Sequence, residues 1–152
     1  TGNILTRSAG SAEFVSPYLI NPPKFTRSFH TWFYEKDGTI RNKWDSISNQ
    51  NGACIYKQDK PGTCTNSKYK TAELCRGQGN EWIESLGLTK NNSKCDTYTH
   101  DSYGRLVYHN KNNSSDNKKC ISAVKTANNK IIIGLDECKD NKILPKHLWS
   151  FH

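Results

Sequence analysis

Six cysteines, at positions 54, 64, 75, 95, 120 and 138, are the side chains best equipped for chemistry in this chain. An even number at irregular gaps in a small polar protein reads as a disulfide framework, which requires an oxidising compartment. A zinc site would need ligand spacing, but no Cys-x-x-Cys occurs and His30, His100, His109, His147 and His152 are scattered. No metal and no cofactor is expected. Nor does a Ser-His-Asp set, a Cys-His pair or a phosphate loop stand out. Asp136 and Glu137 are neighbours and would point to opposite faces of a strand, which is poor geometry for acid-base work. The chain is therefore expected to bind rather than to catalyse. Trp44, between Lys43 and Asp45 in a polar stretch, reads either as a loop anchor or as an exposed aromatic platform. Tyr34, Tyr98, Tyr103 and Tyr108 are candidates to extend it.

The formal charge is +8, with 22 Lys and Arg against 14 Asp and Glu. The signs are interleaved, so a diffuse basic surface is expected and no motif points to a specific nucleic acid. No run approaches the roughly 18 apolar residues that would span a bilayer. Thr1 begins without a signal-peptide pattern, so the sequence reads as mature and soluble, and its cysteine framework adds the expectation of a secreted protein. A length of 152 residues suits a single domain, 1–152.

The elements that must carry these residues are short strands, because the apolar mass is largely aromatic and β-branched. Only Thr71 to Arg76 suggests a helical turn. Gly2-Asn3-Ile4, Gly38-Thr39-Ile40 and Gly104-Arg105-Leu106 each open a strand-like run, and Trp32, Trp82 and Trp149 follow them. Cys54-Ile55 and Cys120-Ile121 stand equally far behind Gly38 and Gly104. This period predicts an all-β, β-trefoil fold of three pseudo-repeats, about 1–34, 35–84 and 102–152, with an inserted loop at about 86–101. The three tryptophans should then lie buried around a pseudo-threefold axis. A jelly roll or an unrelated sandwich stays open. The register favours the bridges Cys54–Cys75 and Cys120–Cys138, leaving Cys64–Cys95, although sequence alone does not choose among the connectivities.

Cys-Ile, a second cysteine and a closing triplet ending in Trp resemble the ricin-type β-trefoil lectins. Here the triplets are His30-Thr31-Trp32, Asn80-Glu81-Trp82 and His147-Leu148-Trp149, with His or Asn in place of the family's Gln. The resemblance implies sugar binding, in which a ring stacks on an aromatic while a carboxylate and an amide hold its hydroxyls. The family's acidic position is Tyr56 in one unit and Ser122 in the other. The implied site therefore shifts to Asp136, Asp140 and Asn141 in the third unit, with the Trp44 surface next. Arg76, Gln78 and Asn80 are the counterpart in the second unit. The implied partner is a cell-surface glycan or glycoprotein, with the chain attaching a toxin or effector to cells. The alternative is a subunit with degenerate sugar pockets that holds a catalytic toxin partner, as trefoil subunits of cytolethal distending toxins do.

Overall fold

The structure, a computed structural model, describes residues 4–7, 17–20, 32–42, 52–109, 118–129 and 131–149, the first two by backbone alone. Among them β1 (Ile4–Arg7) and β2 (Pro17–Ile20) pair as a small antiparallel ribbon. The remaining strands are β3 (Trp32–Tyr34), β4 (Ile40–Asn42), β5 (Ala53–Lys57), β6 (Thr63–Cys64), β7 (Trp82–Thr89), β8 (Tyr98–His100), β9 (Leu106–Tyr108), β10 (Lys119–Lys125) and β11 (Ile131–Glu137). They form one curled antiparallel sheet in the order β3-β4-β5-β7-β11-β10-β9-β8, with β6 added on β7. Alternate residues point to one face, so Ile55, Leu86, Leu88, Ile121 and Leu135 meet in a single core. Cross-strand pairing puts them in adjacent rows, as Ile55 faces Leu88 and Ile121 faces Leu135. β7 and β11 approach closely where a Cβ on Gly134 would stand 2.0 Å from Ile83 Cγ2, so only glycine fits there. No helix among the described residues is long and apolar enough to cross a membrane.

The sheet contains the same four-strand unit twice. In the first, Trp32, Phe33 and Tyr34 face Asn42, Arg41 and Ile40; in the second, at one constant offset, Tyr98, Thr99 and His100 face Tyr108, Val107 and Leu106. Arg41 then faces Cys54, and Val107 faces Cys120. The turns match as well, because Gly38 (φ 89°) and Gly104 (φ 98°) each close a loop in a left-handed conformation that favours glycine. The carbonyl of Gly38 accepts the Tyr98 N–H, and that of Gly104 accepts the Trp149 N–H, both at 2.8 Å. A third copy is not displayed by the described residues.

The cysteine pairing corrects two of the three expected bridges. The disulfides are Cys54–Cys95, Cys64–Cys75 and Cys120–Cys138, so only the last is as the spacing suggested. The extra segment does not follow Trp82. It lies between β5 and β7, where β6 and α1 (Ala72–Gly77, capped by the Thr71 hydroxyl) are joined by their own bridge, Cys64–Cys75. Residues 86–101, expected as a loop, instead carry half of β7, a 3-10 turn over Asn92–Lys94, and β8. Cys95 thereby takes the place behind the fourth strand that Cys138 takes in the second unit.

The tryptophans divide accordingly. Trp32 heads β3 in the core, and Trp149 packs against that core with its indole N–H on the Ile121 carbonyl at 2.9 Å. Trp82 instead stands where β6 joins β7, its indole against Gly62. The core position matching Trp32 belongs to Tyr98, which is fully buried. Tyr98 also closes the sheet: its carbonyl accepts the Tyr34 hydroxyl at 2.7 Å, and that hydroxyl accepts the His100 N–H at 3.3 Å. The edge strand β8 is thus covered by the β3–β4 hairpin.

Candidate functional site

The best-built polar surface gathers around Arg105, at the start of β9 and only 3% exposed. Asp101 opens the preceding turn, its Oδ1 accepting the N–H groups of Tyr103 (3.0 Å) and Arg105 (2.9 Å). Gly104 completes that turn, so the chain re-enters the sheet with the Arg105 side chain tucked under it. The guanidinium then gives Nε to Asp101 Oδ2 at 2.7 Å, Nη1 to the Lys139 carbonyl at 3.1 Å and Nη2 to Asp140 Oδ1 at 3.2 Å. A planar fork of donors is what such a three-way junction needs, and lysine lacks it. One buried side chain therefore binds two exposed turns, 101–104 and 139–142. The second is closed by the Lys142 N–H on the Lys139 carbonyl.

Above this junction Tyr103 is 58% exposed, with the Arg105 guanidinium carbon 5.3 Å from its ring centroid. Leu148, 41% exposed, pairs through its backbone with Arg105. Lys118 reaches both oxygens of Asp140, at 2.8 and 3.0 Å. Those hydrogen bonds from Lys118 and Arg105 hold the Asp140 carboxyl below the usual carboxylate range. Burial works to raise Asp101, but hydrogen bonds from the Arg105 side chain and backbone outweigh it and also leave that carboxyl lowered. Arg41 makes a related junction in the first unit, donating to the Thr39 hydroxyl, the Gly52 carbonyl and Asn92 Oδ1.

The residues expected from sequence separate. Asp140 and exposed Asn141 sit together in the 139–142 turn. Asp136 belongs to a different group: on β11 it accepts from Lys146 Nζ at 2.7 Å, Lys146 also holds Glu81, and buried His147 brings Nε2 to 3.6 Å, beyond hydrogen-bond reach. Trp44 lies outside the described residues. In the insert, Arg76 is directed to Glu137 at 3.8 Å, and the Asn80 amide reaches the Gln78 carbonyl at 3.4 Å. Sequence reasoning missed Arg105, Asp101 and Lys118. The pattern Asp-x-x-Gly-Arg marks the turn but does not show that the arginine folds beneath it.

A third polar group lines one end of the core face. Glu84 pairs with Lys119 at 2.7 Å, Asp96 accepts the Lys57 N–H at 2.6 Å, and the Tyr98 and Tyr108 rings lie 5.8 Å apart. Burial, with Asp96 and Glu84 near by, pushes the Tyr108 phenol up to about 12. Both phenols therefore stay neutral in ordinary conditions and serve as packing.

Comparison of the chain with family models, with curated proteins and with solved structures gives no match in any of the three.

Acid should loosen the protein, and the sign follows from the carboxylates. Asp37, Asp101, Asp136 and Asp140 all lie below the ordinary value of 3.8. For Asp136, burial works to raise it, and the approach of His147 and the hydrogen bond from Lys146 prevail. A group whose folded pKa is depressed stabilises above its unfolded pKa and loses that contribution as pH falls through the folded value. The thermal midpoint should thus hold between about pH 5 and 7 and fall below about pH 4. Asp136→Asn should lower the midpoint at neutral pH and flatten its acid limb. A midpoint unchanged from neutral pH to pH 2.5 would contradict this.

Proposed function

We propose that this protein is a saccharide-binding module working outside the cell, and that it engages its ligand over Tyr103 and the 139–142 turn. One observation carries the reading: buried Arg105 lies against an exposed aromatic ring and at the same time binds a turn bearing a carboxylate and an amide, Asp140 and Asn141. An exposed aromatic face with polar groups near by is what stacking on a sugar ring requires, and turns already tied together by Arg105 spend less free energy on ordering. Three disulfides fit an oxidising compartment, which supports secretion. The β-trefoil frame goes with this reading. Two equivalent units, and the matching core places of Trp32, Tyr98 and Trp149, support it.

Delivery of a toxin or effector to cell-surface glycans is the role this proposal extends to. Exposed Leu148, paired with Arg105 and near Gly104, and exposed Tyr103 on the same turn favour the second reading, a non-catalytic subunit that docks a catalytic partner through an apolar patch. A glycan array with competition by free sugar separates them. The first reading expects binding that Tyr103→Ala weakens about tenfold, the loss of roughly one stacking contact of 1.4 kcal/mol. An array blank for every glycan, with the protein folded, would overturn it.

A further inference from the structure

We infer that the ligand of the Arg105 surface is an anionic saccharide, one carrying a sulfate or carboxylate group, which rests on the saccharide reading above and narrows it. The charge balance of the two turns carries this. Among the described residues four cations, Arg105, Lys118, Lys139 and Lys142, stand with two carboxylates, Asp101 and Asp140. Both carboxylates are already committed: Asp101 to Arg105, and Asp140 to Arg105 and Lys118 at once. A neutral sugar would have to share Asp140 with two cations that already take three of its roughly four acceptor sites.

Lys139 and Lys142 are different. Both are exposed, among the described residues neither is held in an ion pair, and the closed 139–142 turn with its cross-bridge keeps them side by side, joined through Arg105 to the turn that carries Tyr103. A ligand that brings its own negative charge meets two available ammonium groups and an aromatic face without breaking any internal bond. A sugar acid or a sulfated sugar has that combination of an apolar ring face and an anionic substituent. Nucleic acid is disfavoured because no recognition motif for it occurs in the sequence.

The test uses the whole chain and four probes: a size-defined heparin oligosaccharide, sialyllactose, lactose, and a short DNA duplex. The inference expects heparin oligosaccharide or sialyllactose to bind more tightly than lactose and to weaken as salt is raised. The double variant Lys139→Gln, Lys142→Gln should lose about tenfold in that affinity, since each exposed contact contributes modestly. Both lysines are exposed, so the variant should keep its far-ultraviolet circular dichroism. Tyr103→Ala should weaken the same ligand. Lactose bound at least as tightly, with the double variant unchanged, would overturn this inference and leave the saccharide reading standing. DNA bound as tightly as the oligosaccharide, with Tyr103→Ala silent, would also overturn it, as a nonspecific polyanion surface. No binding of any saccharide would overturn both.

Discussion

Replacing Arg105 with Met should lower the stability of the folded protein by about 3 kcal/mol, because it removes a partner that two turns share. Met matches the apolar stem of arginine, so lost packing is minor and the polar junction dominates. Asp101, 19% exposed at its side chain, would be left without its main counter-charge. The Lys139 carbonyl would lose its Nη1 donor. The Asp140 contact adds little, since that carboxylate is largely solvated and keeps Lys118. Asp101 keeps the backbone N–H donors of residues 103 and 105, which places the cost at the low end for a broken buried pair. Arg105→Lys should recover part of the loss, keeping the charge on Asp101 but not the fork that reaches Lys139 and Asp140. Urea unfolding measures this, with an expected shift of about 1.5 M in the midpoint for the Met variant. A loss under 1 kcal/mol would mean that the two turns hold their shape without the arginine, and the preorganised surface would fall with it.

How far the sequence could be read shows in the two glycine turns. Gly38 and Gly104 are a true repeat because a positive φ, and the strand pairing that follows, are local consequences of local residues. The first cysteine of each unit keeps this register, since Cys54 and Cys120 occupy matching pairs with Arg41 and Val107. Beyond that point the register was lost. The insert carrying β6 and α1 displaces everything after Gln58, and its Trp82 stands at a spacing from Gly38 that mimics that of Trp149 from Gly104. The residue that fills the repeat's core place, Tyr98, is no tryptophan, so a search by residue type passes over it. For the site, Asp140 and Asn141 were legible as a polar turn, whereas Asp136 and Asp140 look adjacent in sequence. The strand ending at Glu137 and the bridge at Cys138 send them to separate ion clusters.

Removing the Cys54–Cys95 bridge, by Cys54→Ala with Cys95→Ala, should be the most damaging of the three disulfide deletions. It spans 41 residues, against 18 for Cys120–Cys138 and 11 for Cys64–Cys75. Chain-entropy reasoning gives about 4 kcal/mol for the longest loop and about 3 kcal/mol for the shortest, so the ranking is the sharper expectation. Native geometry widens the gap. Cys64–Cys75 closes within the insert, which touches the main sheet through β6 and β7, and its loss leaves the β3-β4-β5-β7 pairing in place. Cys54 is in β5, and Cys95 begins the segment that brings Asp96 onto the Lys57 N–H and Tyr98 onto Gly38. Loss of that bridge frees the segment that seals the sheet, exposing the edge of β8. Non-reducing urea unfolding of the three double variants should therefore rank Cys54–Cys95 as the costliest loss. A peptide map of the oxidised protein should join Cys54 to Cys95. Were it to join Cys54 to Cys75, the insert would no longer be self-contained, and Cys95 could not be the counterpart of Cys138.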